Sequence, residues 1–202
     1  MNAARFIGAT FHGSLVKDID IFYEKKLLAR MGSIMREVAP EIVLTHSPQE
    51  YMEDHSSTCR LVVSAAFTRG MRNFPVRPPR PAVEQAVSVY HAMPYGLRDP
   101  LRRKVKPGMF VDVTTVLTAK REMLALHRSQ KEWLDASQGV DSYLITMEEM
   151  SREVGRMSRR FRYAEGWVRH SPLGFCAEDA NPLAAALGHK CHIVRSFETS
   201  LG

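Results

Sequence analysis

No segment of the 202-residue chain approaches the roughly 20 consecutive apolar residues that a membrane-spanning helix needs. Nor is Met1-Asn2-Ala3-Ala4-Arg5 followed by the apolar stretch of a secretory signal, so a cytoplasmic protein without a membrane partner is expected. Cysteine is scarce: Cys59, Cys176 and Cys191 are odd in number and lack CxxC spacing. That argues against a disulfide framework and against a thiolate zinc site, and leaves three reduced thiols. There is no glycine-rich phosphate loop, no GxSxG elbow and no HExxH helix, so nucleotide binding, serine hydrolysis and the common zinc-protease pattern lose support. Neither an internal repeat nor a low-complexity tract is present. The net charge of +6 is spread along the chain, which allows anionic partners without requiring them.

What is there suits one globular domain over residues 1–202: 45% hydrophobic and 25% charged residues, and enough length to bury a core. Residues 5–11 read as a short β-like run. Leu27, Leu28, Met31, Ile34, Met35 and Val38 recur at helical spacing, with Asp18 or Asp20 as caps and Pro40 as the stop. Residues 42–45 form an apolar strand of the kind covered on both faces. Ser56 and Ser57 cap a helix that Gly70 ends, and residues 71–82, with Pro75, Pro78, Pro79 and Pro81, form a loop. Strands are predicted near 86–93 and 110–115. Helices are predicted from 116 to a turn at Gly139 and from 140 to 157, then a late strand over 161–167 and a short capped helix after Asn181-Pro182. Strands alternating with helices point to α/β with a mainly parallel sheet and flanking helices.

The organising stretch runs from Ile42 to His55, where an apolar strand ends in a proline turn that delivers an acid and a histidine to the next helix. Open α/β folds bind ligands at such carboxyl edges. His55 can serve as a metal ligand there, with Asp54 behind it in a proton-handling role, or Asp54 can simply cap the helix beside a solvated His55. His46 can point into the same crevice or be a hydrogen-bonded structural residue. His127 shares an apolar face with Met123 and Leu134, as a core histidine does. His91 and His170 lie at other strand ends, and Glu165 is expected to form an ion pair with Arg169 or a nearby histidine.

The order of these pieces resembles a known family. Thr45-His46-Ser47-Pro48-Gln49-Glu50-Tyr51-Met52-Glu53-Asp54-His55, then Ala65-Ala66-Phe67-Thr68-Arg69-Gly70-Met71, Tyr90-His91-Ala92-Met93-Pro94, the segment from His127 to Asp135, and Ala164-Glu165-Gly166-Trp167 resemble the LmbE-like or PIG-L-type metal-dependent de-N-acetylases. The resemblance implies a Rossmann-like domain that uses zinc to remove an N-acyl group, acetyl above all, from an N-acetylglucosamine-type substrate. It gives His55 as metal ligand and Asp54 as the supporting acid/base residue.

Two departures qualify it. The family's H-P-D-D motif, which supplies two more ligands and the general base, has no counterpart here, so the zinc site is expected to be incomplete and the chain N-terminally short of roughly 50 to 100 residues, about one βαβ unit plus a strand. Met52 stands where many members carry an oxyanion-stabilising histidine, and His46 or Tyr51 are the candidates to replace it. The expected partner is a small N-acylated, sugar-based molecule, with a homo-oligomer left open. The alternative is a non-catalytic sugar-binding or interaction protein that keeps the fold without the metal site. Nucleic-acid binding through the arginine-rich loop near residues 98–106 ranks last, for want of interleaved aromatics.

Overall fold

A computed structural model describes residues 1–128, 136 and 142–199. The chain divides into two compact units, one of Met1–Gly13 with Phe110–Glu165 and the other of Ser14–Met109 with Gly166–Gly202.

In the second unit, helix α2 spans Lys25–Val38 and buries Leu27, Leu28 and Met35. Its N-cap is Glu24, several residues later than the caps expected at Asp18 or Asp20. Ala39 turns left-handed (φ 45°) and its N–H bonds to Met35 O, so the helix ends just before Pro40. Strand β1, Ile42–Thr45, follows and pairs in parallel with β2, Ser88–Ala92, Ile42 opposite Ser88. Val43 and Thr45 are buried, but Leu44 is 51% exposed. The expectation of a strand covered on both faces is thus corrected: β1 lies at the sheet's edge.

Helix α3, Glu53–Thr68, begins before the predicted Ser56, so Asp54 and His55 lie in its first turn. Its Leu61, Ala65 and Ala66 pack with Leu27, Leu28, Met35, Val43, Val87, Val89 and Phe175. Each large aliphatic side chain buried there contributes about 1.5–3 kcal/mol. The proline-rich segment 71–82 has neither helix nor strand, as expected. It is held by buried Arg36, whose guanidinium donates to the carbonyls of Thr68, Met71, Phe74 and Arg80.

Strand β3 is Met109–Asp112, β4 is Ala164–Arg169 and β5 is Cys191–Ile193. The five strands form one sheet in the order β1-β2-β4-β3-β5. β4 runs antiparallel to β2, with His91 opposite Val168, and the ladder extends to a bond from His170 N–H to Val89 O. The class is α/β as expected, but the sheet is mixed rather than mainly parallel. Asn181 caps the helix α6, Pro182–Leu187, by accepting from Ala184 N, as the sequence predicts. Helix α7 is Arg195–Thr199.

In the first unit, residues Asn2–Phe6 form helix α1 where the β-like run was expected. Bonds from Arg5 N to Met1 O and from Ala9 N to Ala4 O hold it, and the strong helix formers Ala3, Ala4 and Arg5 outweigh Phe6 and Ile7, which remain exposed. Helix α4, Leu117–Ala125, stops before His127, which is exposed rather than a core histidine. The expectations for Leu134 and the turn at Gly139 lie outside the described residues. Helix α5, Ser142–Ser158, buries Leu144 and Val154. Glu165 does form an ion pair, with Lys120 at 2.6 Å rather than with Arg169 or a histidine. Among the described residues no helix is long and apolar enough to cross a membrane.

Candidate functional site

The chain leaves β1 at Thr45 and turns at once. Ser47 Oγ accepts from Gln49 N at 3.1 Å, a local side-chain turn that competes with any further strand. Glu50 then folds inward and is only 7% exposed. Its Oε1 accepts from Tyr51 N (3.0 Å) and its Oε2 from Tyr95 N (3.2 Å), so two backbone donors compensate its burial.

Glu50 Oε2 also lies 3.7 Å from His55 Nδ1. That is beyond hydrogen-bond reach, and Nδ1 is a buried atom without a hydrogen-bond partner among the described residues. The His55 ring stacks on His46, with centroids 4.2 Å apart and planes 12° from parallel. Asp54 is buried beside them in the first turn of α3, where the helix dipole favours a carboxylate. Tyr51 stands at the rim, 57% exposed, its ring 6.3 Å from that of Tyr95.

A second pair of histidines lies under the first. His91, 5% exposed on β2, places Nδ1 2.9 Å from His46 O and Nε2 2.9 Å from His170 Nδ1. A carbonyl only accepts, so His91 Nδ1 carries a proton; neutral His91 then accepts at Nε2 from His170 Nδ1–H. One carbonyl thereby sets two tautomers. Cys59 Sγ lies 3.5 Å from the same His91 Nδ1, and burial pushes its thiol up to about 11, so it is no nucleophile at neutral pH. His91 and His170 line a pocket of about 380 Å³ with Tyr23, Pro48, Cys59, Arg60, Val63 and Ser64.

Burial dominates the titration of this cluster. It lowers the pKa of His46, and the His55 charge lowers it further, against the opposing pull of Glu50 and Asp54. Burial also lowers His91, partly offset by its bond to His46 O, and it lowers His170 with help from His91. Desolvation, with Glu50 next, raises Tyr51.

Of the residues singled out from sequence, His46, Asp54 and His55 converge, and Tyr51 stays at the edge. Glu50, His91 and His170 were not among the expected site residues. The signal for the histidines was their place at strand ends, but only the antiparallel register brings the two together. Among the described residues, no three His, Cys, Asp or Glu side chains come together so as to hold a metal ion. These residues therefore do not fit the three-ligand zinc of the resembled family.

No family model matches the chain. It is 27% identical over 168 residues to 4-oxalmesaconate hydratase of Pseudomonas putida, an alignment that takes in 82% of this chain. The chain spans 62% of the length of that curated relative. Among solved structures, it resembles GalB, the 4-carboxy-2-hydroxymuconate hydratase from Pseudomonas putida, with a TM-score of 0.64 and 24% identity, over 90% of this chain and 71% of that one. It also resembles the N,N'-diacetylchitobiose deacetylase from Pyrococcus horikoshii, with a TM-score of 0.67 and 18% identity, over 90% of this chain and 65% of that one. The chain thus shares the fold of the LmbE/PIG-L-type proteins that its sequence resembles.

Proposed function

We propose that this chain belongs to a hydrolase that uses water to remove an N-acyl group, acetyl above all, from an N-acetylglucosamine-type or related amide, with His55 as the acting base. The observation that carries the proposal is the His55 imidazole set between the ring of His46 and the buried carboxylate of Glu50. A carboxylate on the Nδ1 side favours a proton on that nitrogen through its charge, which leaves Nε2 to take a proton from water. The 3.7 Å gap is the looseness common before substrate arrives.

The known reactions on this fold agree in one respect. A deacetylase and a hydratase both use water as a reactant, so both need a group that accepts its proton. In the amide reaction water attacks the acyl carbon, the C–N bond breaks and the amine leaves with a proton. Asp54 supports the charge that His55 acquires. His46 and Tyr51 are the donors available to the developing oxyanion in place of Met52, a role Tyr51 can fill because a phenol is protonated at neutral pH.

The alternative is a non-catalytic sugar-binding protein, favoured by the want of a three-donor metal group among the described residues. The deciding experiment measures free amine and acetate from N-acetylglucosamine and diacetylchitobiose, with and without added zinc. Release that falls by at least about 100-fold in His55→Ala is expected. Release unchanged in that variant overturns the assignment of the base; binding of the sugar without release under either condition selects the alternative.

A further inference from the structure

The geometry points to a ligand site in the pocket beside α3 for a small hydroxylated anion, with His170 Nε2 accepting from a ligand hydroxyl and Arg60 facing the ligand's negative charge. This goes beyond amide hydrolysis and does not depend on it.

The pocket, at about 380 Å³, is of a size for a small molecule. Its polar groups are specific in what they offer. His170 gives Nδ1–H to His91 Nε2, because His91 has given its own Nδ1–H to His46 O. The nitrogen of His170 left for the pocket is Nε2, which in the neutral ring bears a lone pair and no proton. A ligand that meets it must donate, and a hydroxyl does so.

Arg60 offers the opposite. Its guanidinium carbon sits 4.7 Å from the centroid of the Tyr23 ring, so the ring takes the guanidinium's face and leaves its N–H edge to a ligand. Among the described residues no acidic side chain forms an ion pair with Arg60. None of the pocket-lining residues is acidic either. Tyr23 is held in place, its OH 2.9 Å from Ser64 Oγ. One unpaired cation and no anion favour a ligand with anionic oxygens. The hydroxyl and the anionic oxygens together describe a hydroxy acid or a sugar phosphate, and gluconate and glucose 6-phosphate represent the two.

The test is histidine-selective 15N NMR on the full chain, which reads tautomer and binding together. His170 is expected as the Nδ1–H tautomer, with Nε2 shifted by gluconate or glucose 6-phosphate and less by glucose, which lacks the charge, or by sulfate, which lacks a hydroxyl. The tighter of the two anions identifies the anionic group, and either result supports the site. Arg60→Gln is expected to weaken the anion by about tenfold or more while leaving glucose unaffected. His170→Asn keeps a donor for His91 but removes the outer nitrogen, so it lowers affinity to that of sulfate, and His170→Gln restores part of it. An Nε2–H tautomer at His170, no response to either anion, or an affinity indifferent to Arg60→Gln overturns the proposal.

Discussion

Arg36 touches no residue of the histidine cluster, yet it fixes the backbone that faces α2 and α3. One buried guanidinium donates to four carbonyls, those of Thr68, Met71, Phe74 and Arg80, along a segment whose prolines leave it few backbone donors of its own. Methionine has a similar length and no donors. Arg36→Met is therefore expected to destabilise the fold by about 3 kcal/mol, roughly 6–12 °C in melting temperature for a chain of this size. A loss under about 1 kcal/mol in thermal or urea unfolding would mean that water replaces those bonds. In the proposed mechanism His46 and Tyr51 are the donors left to an oxyanion, so the His46→Ala, Tyr51→Phe double variant is expected to lower turnover by about 100-fold, as removal of a single oxyanion donor does elsewhere. Unchanged turnover would remove both from the mechanism.

At the scale of elements, α5 meets the turn that leads into β4 through Gly155. A Cβ there would lie 2.5 Å from Arg162 O and 2.8 Å from Phe161 O, both backbone atoms that cannot swing aside. Alanine would gain about 1 kcal/mol of helix propensity and lose about 1–3 kcal/mol to overpacking. Gly155→Ala should therefore lower the melting temperature, and a rise would show that the turn yields. Local signals of this kind were the legible ones. Pro40 ended α2, four prolines marked the loop at 71–82, and Asn181-Pro182 announced a capped helix. The β-like reading of residues 5–11 failed because Phe6, Ile7 and Phe11 are all exposed, with no burial to enforce a strand. His46, Asp54 and His55 were legible as one cluster because they are neighbours along one strand-to-helix turn. His91 and His170 were seen only as separate strand ends. They stand 79 positions apart in the chain, and an antiparallel register that no short-range pattern encodes is what joins them.

Across the whole molecule, the histidines make folding depend on pH in a definite direction. His46, His91 and His170 each titrate below the ordinary value of 6.5, chiefly because burial disfavours the charged ring. The unfolded chain, with histidines near 6.5, binds more protons than the folded one as pH falls through that value. Their contribution to stability is therefore complete above about 6.5 and is lost progressively below it. Each histidine that differs fully in protonation adds a slope of about 1.4 kcal/mol per pH unit, and partial solvent exposure keeps the sum below three such slopes. Ordinary carboxylates titrate nearer 4, so the interval from pH 7 to 5 isolates the histidines. The melting temperature is expected to fall across it, and less steeply in His170→Asn, which keeps the hydrogen bond to His91 but cannot take up a proton. A melting temperature that is flat or rises from pH 7 to 5 would mean that the cluster accepts protons without cost, and that His91 is not held neutral between His46 O and His170.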